Sequence, residues 1–170
     1  MDATPDHSER DQDAQTAGLA GKYLAFALGR EEYCLPVLKV REIIKVMDIT
    51  QVPQVPAHVR GVINLRGKVI PVIDLRLKFD FPAQDYTERT CIIVVEVSMS
   101  RANVMMGIVV DSVSEVLNIA ASDIDLAPDF GGHVTTDYVL ALAKVKGTVK
   151  ILLDLDRVLG ADTQIAARAS

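Results

Sequence analysis

Val59-Arg60-Gly61-Val62-Ile63-Asn64-Leu65-Arg66-Gly67-Lys68-Val69-Ile70-Pro71-Val72-Ile73-Asp74-Leu75-Arg76-Leu77-Lys78-Phe79 decides how the rest of the chain is read. Val62, Ile63 and Leu65 form one apolar run, and Val69, Ile70, Val72 and Ile73 form a second. Both are rich in β-branched residues, which suit a pleated, half-buried surface. Arg66-Gly67-Lys68 is the polar island between them, and Gly67 supplies the positive φ that a tight hairpin turn needs. The stretch therefore reads as strand, turn, strand and one helical turn from Leu75 to Phe79, with Arg66 held at the tip.

Upstream, Val52-Pro53-Gln54-Val55-Pro56 is extended, because the residue before each proline is pushed out of the α region. Tyr23 to Leu28 and Tyr33 to Val37 form a hairpin across Gly29-Arg30-Glu31-Glu32. Pro36 cannot donate to a ladder, so that strand lies at an edge or ends there. Leu38 to Val46 fits an amphipathic helix or a turn followed by a strand from Arg41; its β-branched density favours the strand. Downstream, Cys91 to Val97 and Val104 to Val110 form a hairpin, and Ser112 to Ile119 a further turn and strand. Ser122 to Gly132 reads as a loop. Tyr138 to Val145 and Val149 to Leu153 form the last hairpin, before a helix from Leu155 to Leu159 that Gly160 stops.

The chain repeats itself. Gly67 to Leu75 matches Gly147-Thr148-Val149-Lys150-Ile151-Leu152-Leu153-Asp154-Leu155, and Val37 to Ile44 matches Val110 to Leu117. Two halves of roughly 70 residues, each with about five short strands, predict two small related barrels. Neither buries much surface alone, so they pack over a shared apolar seam.

Composition narrows the function. The 170 residues are 49% hydrophobic and 24% charged, an ordinary globular balance. No apolar run approaches the roughly 18 to 20 residues that span a bilayer. Met1-Asp2-Ala3-Thr4-Pro5-Asp6 carries neither a basic nor an apolar leader segment, and a cytoplasmic protein is expected. Asp2, Asp6, Glu9, Asp11 and Asp13 against Arg10 place −4 of the net −5 in the first 20 residues, which read as a disordered acidic arm. The nearly neutral remainder lacks the basic footprint of a nucleic-acid binder. Cys34 and Cys91 read as two reduced, packed thiols.

Catalytic chemistry finds little to use. Asp74 and Asp154 occupy equivalent places, but each precedes a helical turn and reads as an N-cap rather than half of an aspartic dyad. His7, His58 and His133 share no ligand spacing, so no metal site and no histidine base are expected. No phosphate loop or nucleophile elbow is present. Surface chemistry remains. Val40 and Val113 fall at equivalent corners beside Glu42 and Glu115. The plain reading is two core valines beside solvated acids, with Arg66 a solvated tip. The rival reading is partner binding, which needs a few charged and apolar groups on rigid elements.

At these residues a family resemblance enters. Gly61 to Gly67 followed by Ile70 to Phe79 resembles the signature of CheW, the bacterial chemotaxis coupling family. Glu32-Tyr33, Val40-Arg41-Glu42-Ile43 and Gly107 to Val116 are similar to its other landmarks, and the likeness runs from about Tyr23 to Gly160. It implies a mainly β fold of two intertwined SH3-like five-stranded β-barrels on a shared hydrophobic core, with short helices. The domain would span 21–160, with a first barrel at about 21–80 and a second at about 90–155, between the disordered tail 1–20 and a C-terminal extension 161–170.

The resemblance also implies no catalytic residues, no cofactor and no metal. It implies two partners: the cytoplasmic tip of a methyl-accepting chemoreceptor and the regulatory domain of a CheA-type histidine kinase. No nucleic acid and no direct membrane insertion are implied, and the place is the cytoplasm, at membrane-associated receptor arrays. Receptor binding would fall to Val40, Glu42, Ile43, Arg66, Val113 and Val116, with Gly61 and Gly67 as structural turns. Phe130, in Ala127-Pro128-Asp129-Phe130, matches a position that joins kinase domains into rings. Asp125 departs from the pattern, standing where a basic residue is common. Two rivals stand beside this reading: a paralogue serving a motility or gene-regulation kinase, and a double barrel that binds or hydrolyses a small molecule in its groove.

Overall fold

The computed structural model describes residues 7–82, 84–98, 102–126 and 136–163. A helix α1 (His7–Leu19) leads into the hairpin β1 (Gly21–Leu28) and β2 (Glu31–Pro36). A 3-10 turn at Val37–Lys39 turns the chain into β3 (Val40–Lys45). The second hairpin, β4 (Val59–Leu65) and β5 (Lys68–Asp74), runs directly into α2 (Leu75–Lys78). Next come β6 (Cys91–Ser98), β7 (Asn103–Val110) and β8 (Ser112–Ile119), then a 3-10 turn and the short β9 (Ile124–Leu126). The last hairpin, β10 (Val139–Val145) and β11 (Thr148–Leu153), runs into α3 (Leu155–Leu159). Leu38 to Val46 is thus turn plus strand, and β2 ends at Pro36 inside its sheet.

The strands form a five-stranded sheet, ordered β3-β6-β7-β5-β4, and a six-stranded one, ordered β8-β1-β2-β11-β10-β9. Matching the two orders pairs β3 with β8, the hairpin β6–β7 with β1–β2, and β5–β4 with β11–β10. Only β9 is extra. Its counterpart is a single bridge in the smaller sheet, where Thr50 and Val62 exchange backbone hydrogen bonds of 2.8 and 2.9 Å. Each sheet therefore takes strands from both halves of the chain. The division expected between residues 80 and 90 does not separate the sheets, because β1 and β2 sit with the later hairpin and β6 and β7 with the earlier one. The parallel pairings β5–β7 and β2–β11 are the seams of this exchange.

Burial explains why the strands read as continuous apolar runs. Ile92 and Val94 on β6 point into an inner cluster within the five-stranded sheet, while Ile93, Val95 and Val97 point the other way, into the core between the sheets. That central core also takes Leu24, Phe26 and Leu35 from the six-stranded sheet and Leu155, Val158 and Leu159 from the end of the chain. A third cluster, with Ala25, Cys34 and Leu152, fills the six-stranded sheet. With both faces covered, each fully buried aliphatic side chain contributes about 1.5 to 3 kcal/mol, and neither sheet stands without the other.

Three expectations are corrected. The acidic segment is not an arm over its whole length: 7–19 is helical, and its last turn is tied down where the Tyr23 hydroxyl donates to the Leu19 carbonyl at 2.5 Å and Leu19 packs on the six-stranded sheet. The segment lacks an apolar stripe, so periodicity gave no sign of the helix. The α-helix α3 ends at Leu159 with Gly160 as its C-cap, but the glycine does not break the helical course of the chain. It keeps right-handed helical dihedrals, and the chain tightens into a 3-10 turn over Gly160–Asp162. The Ser122 to Gly132 loop contains β9, and residues 127–135 lie outside the described residues, as do 164–170 of the extension.

Candidate functional site

The hairpin tip is built by its own residues. Arg66 and Gly67 both take left-handed backbone, at φ 52° and 85°, the pair of positive angles that matches a two-residue turn to strand twist. The Asn64 side-chain oxygen accepts the Gly67 amide at 2.9 Å and braces the turn. Gly61 is no turn residue. It lies within β4 at a register shift, where a Cβ would stand 2.0 Å from the Thr50 carbonyl oxygen. Close approach of two backbones, together with φ 138°, explains the glycine.

From this turn Arg66 reaches Glu42 on β3, the opposite edge of the five-stranded sheet. Its guanidinium is bidentate, with Nη1 donating to Oε1 at 3.0 Å and Nη2 donating to Oε2. Those bonds hold the Glu42 carboxyl below its ordinary pKa, and they raise that of Arg66 in return. The two edges of the sheet meet here, above the inner cluster to which Ile44 and Leu65 also contribute. The Arg66 side chain stays open to solvent, while that of Glu42 is partly buried.

Residues opposite one another on a ladder share a face. Glu42 faces Val94 of the inner cluster, whereas Ile43 faces Ile93 of the central core. On β8, Val113 faces Phe26 and Val116 faces Leu24, again on the central side, while Glu115 faces Ala25 on the inner side. Val40 and Val113 both pack, half-buried, against the central core. Ile43 and Val116 emerge from its rim 43% and 58% exposed. The structure thus joins Glu42 to Arg66 directly. It places Val40 and Val113 on one core, and leaves Ile43 and Val116 as apolar projections on the two sheets.

Asp125, on β9, is exposed and sits 3.8 Å from the Lys144 ammonium, which offsets part of its charge. Phe130 lies outside the described residues.

Several groups were not legible as site residues. Leu38, in the turn before β3, is 90% exposed. Val69 and Val149 are half-exposed on the two related hairpins. Lys146 lies 3.7 Å from Glu115. The internal repeat already pairs Val69 with Val149, and carrying it one residue back from Gly67 would have found Lys146 opposite Arg66.

The expected Asp74 cap also proves to be the centre of a buried network. Its carboxylate accepts the Arg76 amide at 3.0 Å and bonds from both the Arg76 and Arg60 guanidinium groups. Arg76 reaches on to Asp111 at 3.4 Å, and Asp111 accepts the Gly29 amide at 2.8 Å. Arg60 and Arg76 lie over the Tyr86 ring, 5.9 and 5.2 Å from its centre. Beside them is an open, polar depression lined by Gln51, Arg60, Gln84 and Asp85. No group of three or more metal-ligating side chains occurs among the described residues, and no helix there is long and apolar enough to cross a membrane.

The model of the CheW-like domain family matches residues 22–163. A chemotaxis protein CheW of Klebsiella aerogenes is 37% identical over 154 residues, covering 88% of this chain and 90% of that protein. One of Rhizobium meliloti is 35% identical over 144 residues, with 85% and 90% covered. Among solved structures, scaffolding protein TtCheW from Thermoanaerobacter tengcongensis superimposes with a TM-score of 0.74 at 33% identity, covering 82% of this chain and 92% of that one.

Proposed function

The chain belongs to the CheW family, and on that premise we propose that it is a non-catalytic adaptor coupling chemoreceptors to a CheA-type histidine kinase. It binds the cytoplasmic tip of a receptor and the regulatory domain of the kinase at once, in the cytoplasm at receptor arrays. The observation that carries this reading is the bidentate Arg66–Glu42 pair at a braced hairpin tip, with Ile43, the next residue of β3, exposed on the other face of that strand.

Each residue has a task in that reading. Val40, Ile43, Val113 and Val116 receive apolar side chains from the receptor's helical hairpin, the usual way a groove reads an amphipathic helix. Glu42 and Arg66 set orientation and register, since rim charges steer partners more than they add affinity. Asp125 and Phe130 belong to the kinase contact, with Lys144 moderating the charge of Asp125. The adaptor makes no bond. It biases which kinase–receptor arrangement is populated.

Reconstitution tests this. With receptor tips and kinase, addition of the chain changes kinase autophosphorylation, and Arg66→Glu loses receptor recruitment while its thermal melt stays near that of the parent. Arg66 is exposed, so a collapse of the melt would make it a structural residue and remove the main support for the reading.

A further inference from the structure

The internal repeat places a second docking set on the six-stranded sheet, and most of it lies outside the surface proposed above. Glu42, Ile43, Arg66 and Val69 correspond to Glu115, Val116, Lys146 and Val149. The backbone repeats too, since Lys146 and Gly147 take φ 52° and 81° against 52° and 85° at the first tip. In each set a glutamate on an edge strand meets a cation from a hairpin tip. Val149 shares its strand face with Ile151, which borders the central core, and Val69 with Ile73, which lies within it. The apolar members of both sets therefore fringe one seam from its two sides.

The sets differ in how their charges are held. Arg66 is spoken for by two hydrogen bonds to Glu42. Lys146 is 3.7 Å from Glu115, with both side chains well exposed, and no hydrogen bond joins them. An ammonium is a point charge that reorients easily, whereas a guanidinium fork is fixed once it has closed on a carboxylate. Lys146 is thus the charge free to take a carboxylate from outside.

We propose that Glu115, Lys146 and Val149 complete the receptor surface. One helix of the receptor's hairpin tip engages the Arg66 set, and its second helix engages the Lys146 set, packing an apolar side chain on Val116 and Val149 and giving a carboxylate to Lys146. The inference rests on the receptor-adaptor reading. Two arguments select this occupant: Val40 and Val113 of the first surface pack on one central core that strands of both sheets share, and a helical hairpin offers two ridges about 8 to 10 Å apart.

The test titrates the full-length chain with the cytoplasmic fragment of a methyl-accepting chemoreceptor from the same organism, at low and high salt. In parallel it measures binding of the kinase regulatory domain. Lys146→Glu should weaken receptor binding about ten-fold at low salt and flatten its salt dependence, as a rim charge does. Val149→Ser, which leaves every charge in place, should weaken it several-fold. The Glu115→Lys/Lys146→Glu swap keeps an internal pair, so its melt should match the parent while binding stays weak. If Arg66→Glu abolishes recruitment but Lys146→Glu and Val149→Ser bind normally, the second set is refuted and the adaptor reading survives. The second set is equally refuted if those two variants lose only the kinase domain. If Arg66→Glu itself binds the receptor normally, the adaptor reading fails and takes the second set with it.

Discussion

The unit β4–β5–α2 and its repeat β10–β11–α3 start from the same local instructions and end under different loads. Both turns use a left-handed cation followed by a left-handed glycine. Both hairpins end in an aspartate that caps the next helix, and in both its amide donates 2.8 Å to a carbonyl before the first strand, His58 or Tyr138. Yet Asp74 is wholly buried between Arg60 and Arg76, while Asp154 is partly exposed, with Arg157 nearby at 3.6 Å. The difference teaches that a cap is a local device until tertiary packing makes it a keystone. Through Arg76 and Asp111 the first cap reaches Gly29, in the β1–β2 turn of the other sheet, whereas the second stays within its own helix and neighbouring arginine.

The sharpest way to break this comparison is to truncate both aspartates. Asp74→Ala leaves the buried Arg76 without its main partner, and removing one member of a buried pair costs about 3 to 5 kcal/mol. Asp154→Ala removes an ordinary cap and costs about 1 kcal/mol. Equal losses in denaturant melts would mean that burial does not distinguish the two sites.

A smaller contrast follows from the strands. Gly61 and Ala141 are repeat partners, each just past a register shift. The Thr50 carbonyl crowds Gly61, whereas Ala141 pairs regularly with Leu126 of β9. Gly61→Ala should cost about 1 to 3 kcal/mol through overpacking and backbone strain. Ala141→Gly should cost less than about 1 kcal/mol. Comparable urea midpoints for the two variants would remove the close approach from the account.

The smallest effect separates the two inner clusters. The one in the five-stranded sheet is aliphatic, but the other holds Cys34, whose thiol burial pushes up to about 12 from an ordinary 9.0. Burial raises Tyr23 as well. The folded state then keeps protons that the unfolded chain has released. This stabilisation is complete below pH 9 and is lost as pH climbs from 9 toward 12. Chemical denaturation at pH 8 and pH 10.5 should show the decline, and Cys34→Ala should flatten it. A parent curve as flat as the variant's would show that the thiol titrates freely.

Much of the proposed first docking set was legible because it is local. Arg66 at a glycine turn and Asp74 before a helix follow from adjacent residues, and the apolar runs fix the strands. Glu115, Val116 and Val149 also lie within the repeat, and Lys146 stands one position before its second half at Gly147. What could not be read depends on distance along the chain. Nothing near Glu42 says that it will meet Arg66, and nothing near Arg60 or Asp111 ties either to Asp74. The helix α1 escaped for another reason: no apolar stripe marks it, and its anchors are the Tyr23 hydroxyl and the packing of Leu19 on the six-stranded sheet.

By itself the sequence determined the strands, the two turns, the caps and the doubling of one unit, because each rests on dihedral preference or spacing within a few residues. Only the tertiary structure decided which strands share a sheet, since β1–β2 and β6–β7 trade places between halves with equally apolar runs. It alone decided which side of each strand faces the central seam, and so which valines reach solvent. Burial of both faces makes the local pattern degenerate, and only packing of the whole chain resolves it.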